Sequence, residues 1–250
     1  MTNLRKMFWT ALFLIAVFTA IHTEISAQNI ELNFDFHRGN SGWTAGFADY
    51  PPNTGTSFEL FAGLRYMPRK LTRSPKHSFY IQGHNRSDDL FMFLKRRLTA
   101  EEGIIANQTY RIEYLVTFAS NAATGCAGIG GAPGENVALK VGASPTEPMP
   151  VLQPNGYLRM NVDKGEQSQS GLAASVAGNI ANGIPCQLAA PYFPFALVQR
   201  SHQHTAPVTA NSSGELWLLV GTDSGFEGLT RLYYQSIRVK LTPVQSLKTN

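Results

Sequence analysis

The chain has 250 residues, with 21 Lys and Arg against 17 Asp and Glu, for a formal net charge of +4. That balance is too mild for a nucleic-acid-binding surface, which shows as a clustered basic face. Two cysteines in a chain of this length exclude a miniprotein built on disulfides, and the length suffices to bury a core without metals.

The first element is a leader. Arg5 and Lys6 precede an apolar run from Met7 to Ala20, and a short polar segment then ends in Ser26, Ala27 and Gln28. This is the layout of a secretory signal peptide cut near Ala27. The run of about 14 residues falls short of the ~20 a spanning helix requires, so a retained anchor is the weaker alternative. No cysteine near the cut offers a site for lipid attachment. Residues 1–27 are therefore set apart as a signal-peptide helix, with no membrane span expected after cleavage. Secretion, or residence in the periplasm or cell envelope, is the expected localisation. Losing Arg5, Lys6 and Glu24 brings the net charge to about +3.

Residues 28–243 are expected to form one all-β domain, with 244–250 as a C-terminal tail. Ile30 to Trp43 (IELNFDFHRGNSGW) has the look of an opening strand running into a glycine corner closed by tryptophan. Lys95, Arg96 and Arg97, followed by Glu101 and Glu102, suggest a solvated strand end. Tyr110, Ile112, Tyr114, Val116 and Phe118 alternate with polar residues, the period of a half-buried strand. Val137, Leu139 and Val141 repeat the pattern. Leu216 to Val220 (LWLLV) is apolar on both faces, as a central strand would be, and Trp217 is expected in the core. After a turn at Asp223 to Gly228, Tyr233, Ile237, Val239 and Leu241 are expected to share one face of a closing strand. The long stretches Ala143–Gly156 and Gly165–Ala190 are expected as surface excursions. Leu172–Ile180 is a weak helical candidate.

Cys126 and Cys186 both lie in the exported part and in glycine- and proline-rich segments. In an oxidising compartment they are expected to be joined. Two free buried thiols are the alternative.

Phe36, Gly39, Gly42 and Trp43, within FHRGNSGW, resemble the opening motif of carbohydrate-binding modules of the galactose-binding-like jelly-roll class. SFYIQGHN (78–85), Leu90–Thr99, NQTYRIEYLVTF (107–118) and LYYQSIRVKL (232–241) are similar to later blocks of that class, in the same order. Residues 125–210 match nothing in it. FDFHRGNSGWTAGFADYP, NRSDDLFMFLKRRLT and LWLLVGTDSGFEG also look like phrases of bacterial exported proteins of unassigned function, which implies export without an activity. The resemblance implies a jelly-roll β-sandwich with long loops and a structural calcium in many members. Here His37, Gln235 and Ser236 stand where acids would bind it, and calcium favours several hard oxygen ligands. No cofactor is therefore expected, with calcium through Asp35, Asp163 or Asp223 as the alternative.

A non-catalytic domain recognising glycan or envelope polysaccharide is the function the resemblance implies. Sugar rings need flat aromatic surfaces and amide, carboxylate or guanidinium partners, so Trp43, Tyr50, Asn85, Arg86, Asp88 and Asp89 are the candidate ligand-binding residues. Trp43 as a core plug and NRSDD as a self-capping loop are the structural alternatives. The competing classes are a secreted hydrolase on glycans, with Asp163, Glu166 and Asp223 as its first candidates, and a structural or adhesion protein without small ligand. The single Asp223-Ser224-Gly225 triplet reads as a turn, since an aspartic-protease dyad needs two copies. His202 and His204 could bind a metal from one side of a strand; exposed loop histidines are the alternative. Oligomeric state is not legible.

Overall fold

The computed structural model describes residues 28–53, 55 and 57–245; the expected leader and the last five residues lie outside them. Among the described residues the strands run, in chain order, β1 (Ile30–Asp35), β2 (Thr44–Ala48), β3 (Phe61–Tyr66), β4 (His77–His84), β5 (Leu90–Leu98), β6 (Thr109–Ser120) and β7 (Val137–Ser144). They continue with β8 (Pro150–Leu152), β9 (Leu158–Met160), β10 (Ser175–Asn179), β11 (Ala196–Gln203), β12 (Val208–Thr209), β13 (Leu216–Ser224) and β14 (Leu229–Pro243).

Two antiparallel sheets face each other. One has the order β11-β6-β14-β4-β3, with β1 following β4 along the same edge of β14 and β12 following β11 along β6. The other has the order β10-β7-β13-β5-β2. The result is the expected all-β jelly-roll β-sandwich. Its core takes alternate residues, such as Tyr110, Ile112, Tyr114, Val116 and Phe118 of β6, because successive side chains of a strand point to opposite faces.

The opening stretch carries the chain from one sheet to the other. β1 ends in a short 3-10 turn at Phe36–Arg38, Gly39 and Gly42 take positive φ (139° and 76°), and β2 begins in the opposite sheet. Trp43 fills this corner, edge-on to Phe34 at 5.5 Å and to Phe36 at 6.4 Å.

Five sequence expectations change, each for a physical reason. β7 is buried on both faces, because the chain from 145 to 174, with its β8–β9 hairpin, folds over the outer side of the five-stranded sheet. There Ala48, Phe91, Phe93, Ala174 and Leu219 form a second small core with Met160 and Val162. The returning backbone crosses β7 so closely that a Cβ on Gly142 would collide with the Ala173 carbonyl. Leu172–Ile180 is not helical: it contains edge strand β10, bulged near Gly178. Trp217 is half-buried on the outer side, 5.7 Å below the Lys95 ammonium, and not in the core. The basic triplet of β5 is ion-paired, Lys95 to Glu147 (2.7 Å), Arg96 to Glu102 (2.8 Å) and Arg97 to Glu215 (3.1 Å).

The fifth change matters most for function. In β14 the register slips between Tyr234 and Ser236, and a bulge of one residue reverses the alternation after it. Leu232 and Tyr234 therefore join Ile237, Val239 and Leu241 in the core, while Tyr233 turns to the outer face.

Candidate functional site

The residues proposed from sequence for ligand contact separate. Trp43 is fully buried, so it has no ring face to offer and its ligand role is withdrawn in favour of the core plug. Tyr50 packs on Phe58 at 5.0 Å. Asn85 is buried, donating to the Ser224 carbonyl (2.8 Å) and accepting from the Ser87 N–H (3.1 Å), a loop-capping role. Arg86 remains at the surface, paired with Glu59 at 3.3 Å. Asp88 is exposed, held at φ 66°, with its carbonyl accepting from Gln167. Asp89 is buried and belongs to a charged cluster that the sequence did not reveal.

That cluster lies where the 145–174 excursion meets the five-stranded sheet. Asp223 of β13 is fully buried and receives the ammonium groups of Lys140 (β7) and Lys164, each at 2.7 Å. Lys164 also reaches Asp49 at 2.8 Å, and Arg159 joins Asp49 (2.9 Å) to Asp89 (2.8 Å). Asp223 is thus neither a turn residue nor a free acid. The carboxylate oxygens of Asp49, Asp89 and Asp223 lie within 4.8 Å of one another, a donor set suited to a cation, but the Lys164 ammonium and the Arg159 guanidinium already sit among them. The other candidate acids serve elsewhere. Asp35 accepts the His37 N–H, and Asp163 accepts those of Gly165 and Leu172, which holds its carboxyl below the usual range. Glu166 is exposed at the rim of an open depression of about 330 Å³ above the cluster. Acid–base hydrolysis of a glycoside needs carboxyls free to face a substrate; Asp49 and Asp223 face lysine and arginine instead.

Burial, together with neighbouring Asp223 and Asp49, pushes Asp89 up to about 7. Asp89 Oδ1 is buried without a donor, as suits a carboxyl that keeps its proton. An acid whose folded pKa is raised stabilises the fold while it keeps its proton, and loses that contribution as pH climbs from its ordinary value toward the raised one. The contribution of Asp89 to stability is therefore expected to fall as pH rises from about 4 to about 7. Melting curves of the native chain and of Asp89→Asn across pH 5–8 check this. The variant should show the flatter profile, and parallel profiles would refute the retained proton on Asp89.

His202 and His204 are not loop histidines in solvent. His204 is buried, its Nε2 donating to the Leu172 carbonyl (3.1 Å) and its Nδ1 accepting from the Ser175 hydroxyl (2.9 Å), to which His202 Nε2 donates (2.9 Å). Burial pushes both imidazoles below their usual value. Ser175 is wholly inaccessible, so the trio ties β10 to β11 where the two sheets meet and presents no nucleophile.

Flat aromatic surface appears on the opposite side of the molecule, on the outer face of the seven-stranded sheet. Phe61 (β3), Tyr80 (β4), Tyr233 (β14) and Phe195, just before β11, form a row with ring centroids 6.0, 4.5 and 5.1 Å apart. Phe61 is 41% exposed, Tyr233 and Phe195 are half-buried, and Tyr80 forms the floor. Ala119 of β6 stands opposite Tyr233 and Leu197; its small side chain lets Phe195 reach across that strand. The Tyr80 hydroxyl donates to Gln82 (2.5 Å), and the Gln82 amide donates to the Glu59 carbonyl. Burial, then Tyr233, raises the Tyr80 phenol above its usual value. Arg65 lies over Phe61 and Tyr80, 4.2 and 4.5 Å from their centroids, and Arg231 over Phe195 at 6.0 Å. Further along the same face, a shallow depression of about 440 Å³ is lined by Glu31, Glu113, Arg238 and Lys240. No residue of this row was proposed from sequence. Phe61 and Phe195 carried no motif, Tyr80 lay in SFYIQGHN without a ligand role assigned to it, and the bulge concealed the orientation of Tyr233.

No protein-family profile matches the chain, and neither does any curated protein. Among solved structures, a carbohydrate-binding module of the β-sandwich superfamily is 10% identical with a TM-score of 0.35; the match covers 85% of this chain and 61% of that one. The C-terminal family 22 carbohydrate-binding module of Clostridium thermocellum Xyn10B is 11% identical, with a TM-score of 0.33 and coverage of 83% of this chain and 91% of that one. The K1 cleaved adhesin domain of Lys-gingipain from Porphyromonas gingivalis W83 is 9% identical, with a TM-score of 0.35 and coverage of 86% and 99%.

Proposed function

We propose that this protein is an exported, non-catalytic glycan-binding domain, acting at the cell envelope or outside the cell, whose binding surface is the aromatic row of the seven-stranded sheet. The observation that carries the proposal is the row itself. Three partly exposed rings over a tyrosine floor give the flat apolar surface that pyranose faces require, and arginines and an amide border it. Export rests on the leader and is supported by the disulfide, a bond that persists in oxidising compartments.

The test is a glycan array with the mature chain, followed by Phe61→Ala and Tyr233→Ala. Each ring is expected to contribute about 1 kcal/mol, so each variant should bind roughly fivefold to tenfold more weakly with an unchanged fold. Absence of binding to any glycan, or unaltered binding by both variants, would overturn the proposal and favour a structural envelope protein.

A further inference from the structure

We infer that the aromatic row takes an acidic glycan, one bearing carboxylate or sulfate groups, and that Arg65 and Arg231 pair with its charge. This rests on the glycan-binding reading and adds the substrate class.

Four of the twelve described arginines are paired with acids, and the two on the row are set apart by their place on the rings. Arg86, Arg96, Arg97 and Arg159 each meet a carboxylate at 3.3 Å or closer. Arg65 and Arg231 form no ion pair among the described residues, although both are pinned over rings. Stacking occupies the π face of a guanidinium and leaves the in-plane N–H groups to point outward. The Arg231 Nε is buried without a hydrogen-bond partner, an arrangement that costs free energy until an acceptor arrives. The two also approach Tyr80 from different strands: Arg65 lies over its ring, and Arg231 stands opposite Gln82, which accepts from the Tyr80 hydroxyl.

An exposed fork at Arg65 and a half-buried one at Arg231, both unpaired and stacked on the aromatic row, match a planar carboxylate or a sulfate held against the ring beside it. A neutral hydroxyl could accept one hydrogen bond but would leave both charges uncompensated. Of the acids near this face, Glu59 beside Gln82 is already held by His84 and Arg86, and Glu31 and Glu113 flank Lys240 in the ladder at the other end, so none pairs with the two arginines.

The experiment compares polymers that differ only in charge: polygalacturonate against its fully methyl-esterified form, and dextran sulfate against dextran. The proteins are the mature chain, the double variant Arg65→Gln/Arg231→Gln, and the control Arg38→Gln/Arg97→Gln, which removes the same charge away from the row. At least one acidic polymer is expected to bind about tenfold or more tightly than its neutral partner. The row variant should lose that preference while keeping its affinity for the neutral polymer, and the control should keep both. Neutral polymers bound as tightly as acidic ones would overturn the acidic class and leave glycan binding standing. Equal losses in row and control variants would reduce the preference to overall basicity and overturn the assignment of the two arginines. No binding of any polymer would remove the underlying function as well.

Discussion

Replacing Asp223 with alanine is expected to destabilise the protein by about 3–5 kcal/mol, because it leaves two lysine ammonium groups buried against each other without their shared anion. Lys140 is wholly inaccessible and its other acceptor is a backbone carbonyl, that of Lys164; Lys164 keeps Asp49. Desolvation already pushes Lys140 below the usual lysine range, so in the variant it would lose its proton at a lower pH still. The damage should concentrate where the cluster acts. Lys140 and Asp223 belong to the sheet and Lys164 to the excursion, so hydrogen exchange should rise first in residues 145–174, with the seven-stranded sheet protected longer. Denaturant unfolding measures the loss. Adding Lys140→Met, which replaces a stranded charge by an apolar side chain of similar length, should recover part of it. A cost for Asp223→Ala below about 1 kcal/mol, the range of an exposed pair, would show that the cluster does not clamp the excursion.

The same cluster marks the limit of what the sequence disclosed. β6 was legible because one of its faces meets the core and the other meets water, so burial writes itself as alternation. β7 and β13 have a second protein layer on their outer side, and there the signal changes. Lys140 between Leu139 and Val141 looks like a solvent-facing residue until another part of the chain supplies Asp223, 83 residues away. A lysine in a strand cannot announce its counter-ion. Asp89 was selected as a ligand contact on the composition of its loop, and it turned out to be a buried acid held by Arg159 from the excursion. The corner at Gly39–Trp43 was read correctly as a corner, because positive φ demands glycine and a large apolar residue must be buried; whether Trp43 faced a ligand depended on Phe34 and Phe36 closing around it. The aromatic row was illegible for a different reason. Its members come from four separate segments, and only the bulge at Gln235 turns Tyr233 to their side.

Reduction of Cys126–Cys186 is expected to lower stability by roughly 4 kcal/mol, on the order of 10 °C in melting temperature. The bond joins residues 60 apart, and the loop it closes contains β7 to β10 and the whole excursion. In the reduced unfolded chain all of these gain freedom, whereas in the folded state the two segments are already neighbours. Thr124 donates to the Ile184 carbonyl and accepts from the Cys186 N–H, both at 2.9 Å, while Ala123 and Ala189 pack beside the sulfurs. Asn182 adds bonds to the Ala122 and Ser120 carbonyls and Arg200 reaches that of Ala181. Among the described residues, however, those from 183 to 193 hydrogen-bond beyond the segment 181–195 only to Thr124, so the covalent link is a main part of what holds them. That segment delivers Phe195 to the end of the aromatic row. Reduction, or the Cys126→Ala/Cys186→Ala variant, should therefore weaken glycan binding as well as stability, and the binding loss should match that of Phe195→Ala, since the remaining three rings stand on strands outside the closed loop. Unchanged melting on reduction, or two titratable thiols in the untreated protein, would refute the staple. Lower melting with full retention of binding would show that Phe195 is held by the sheet alone.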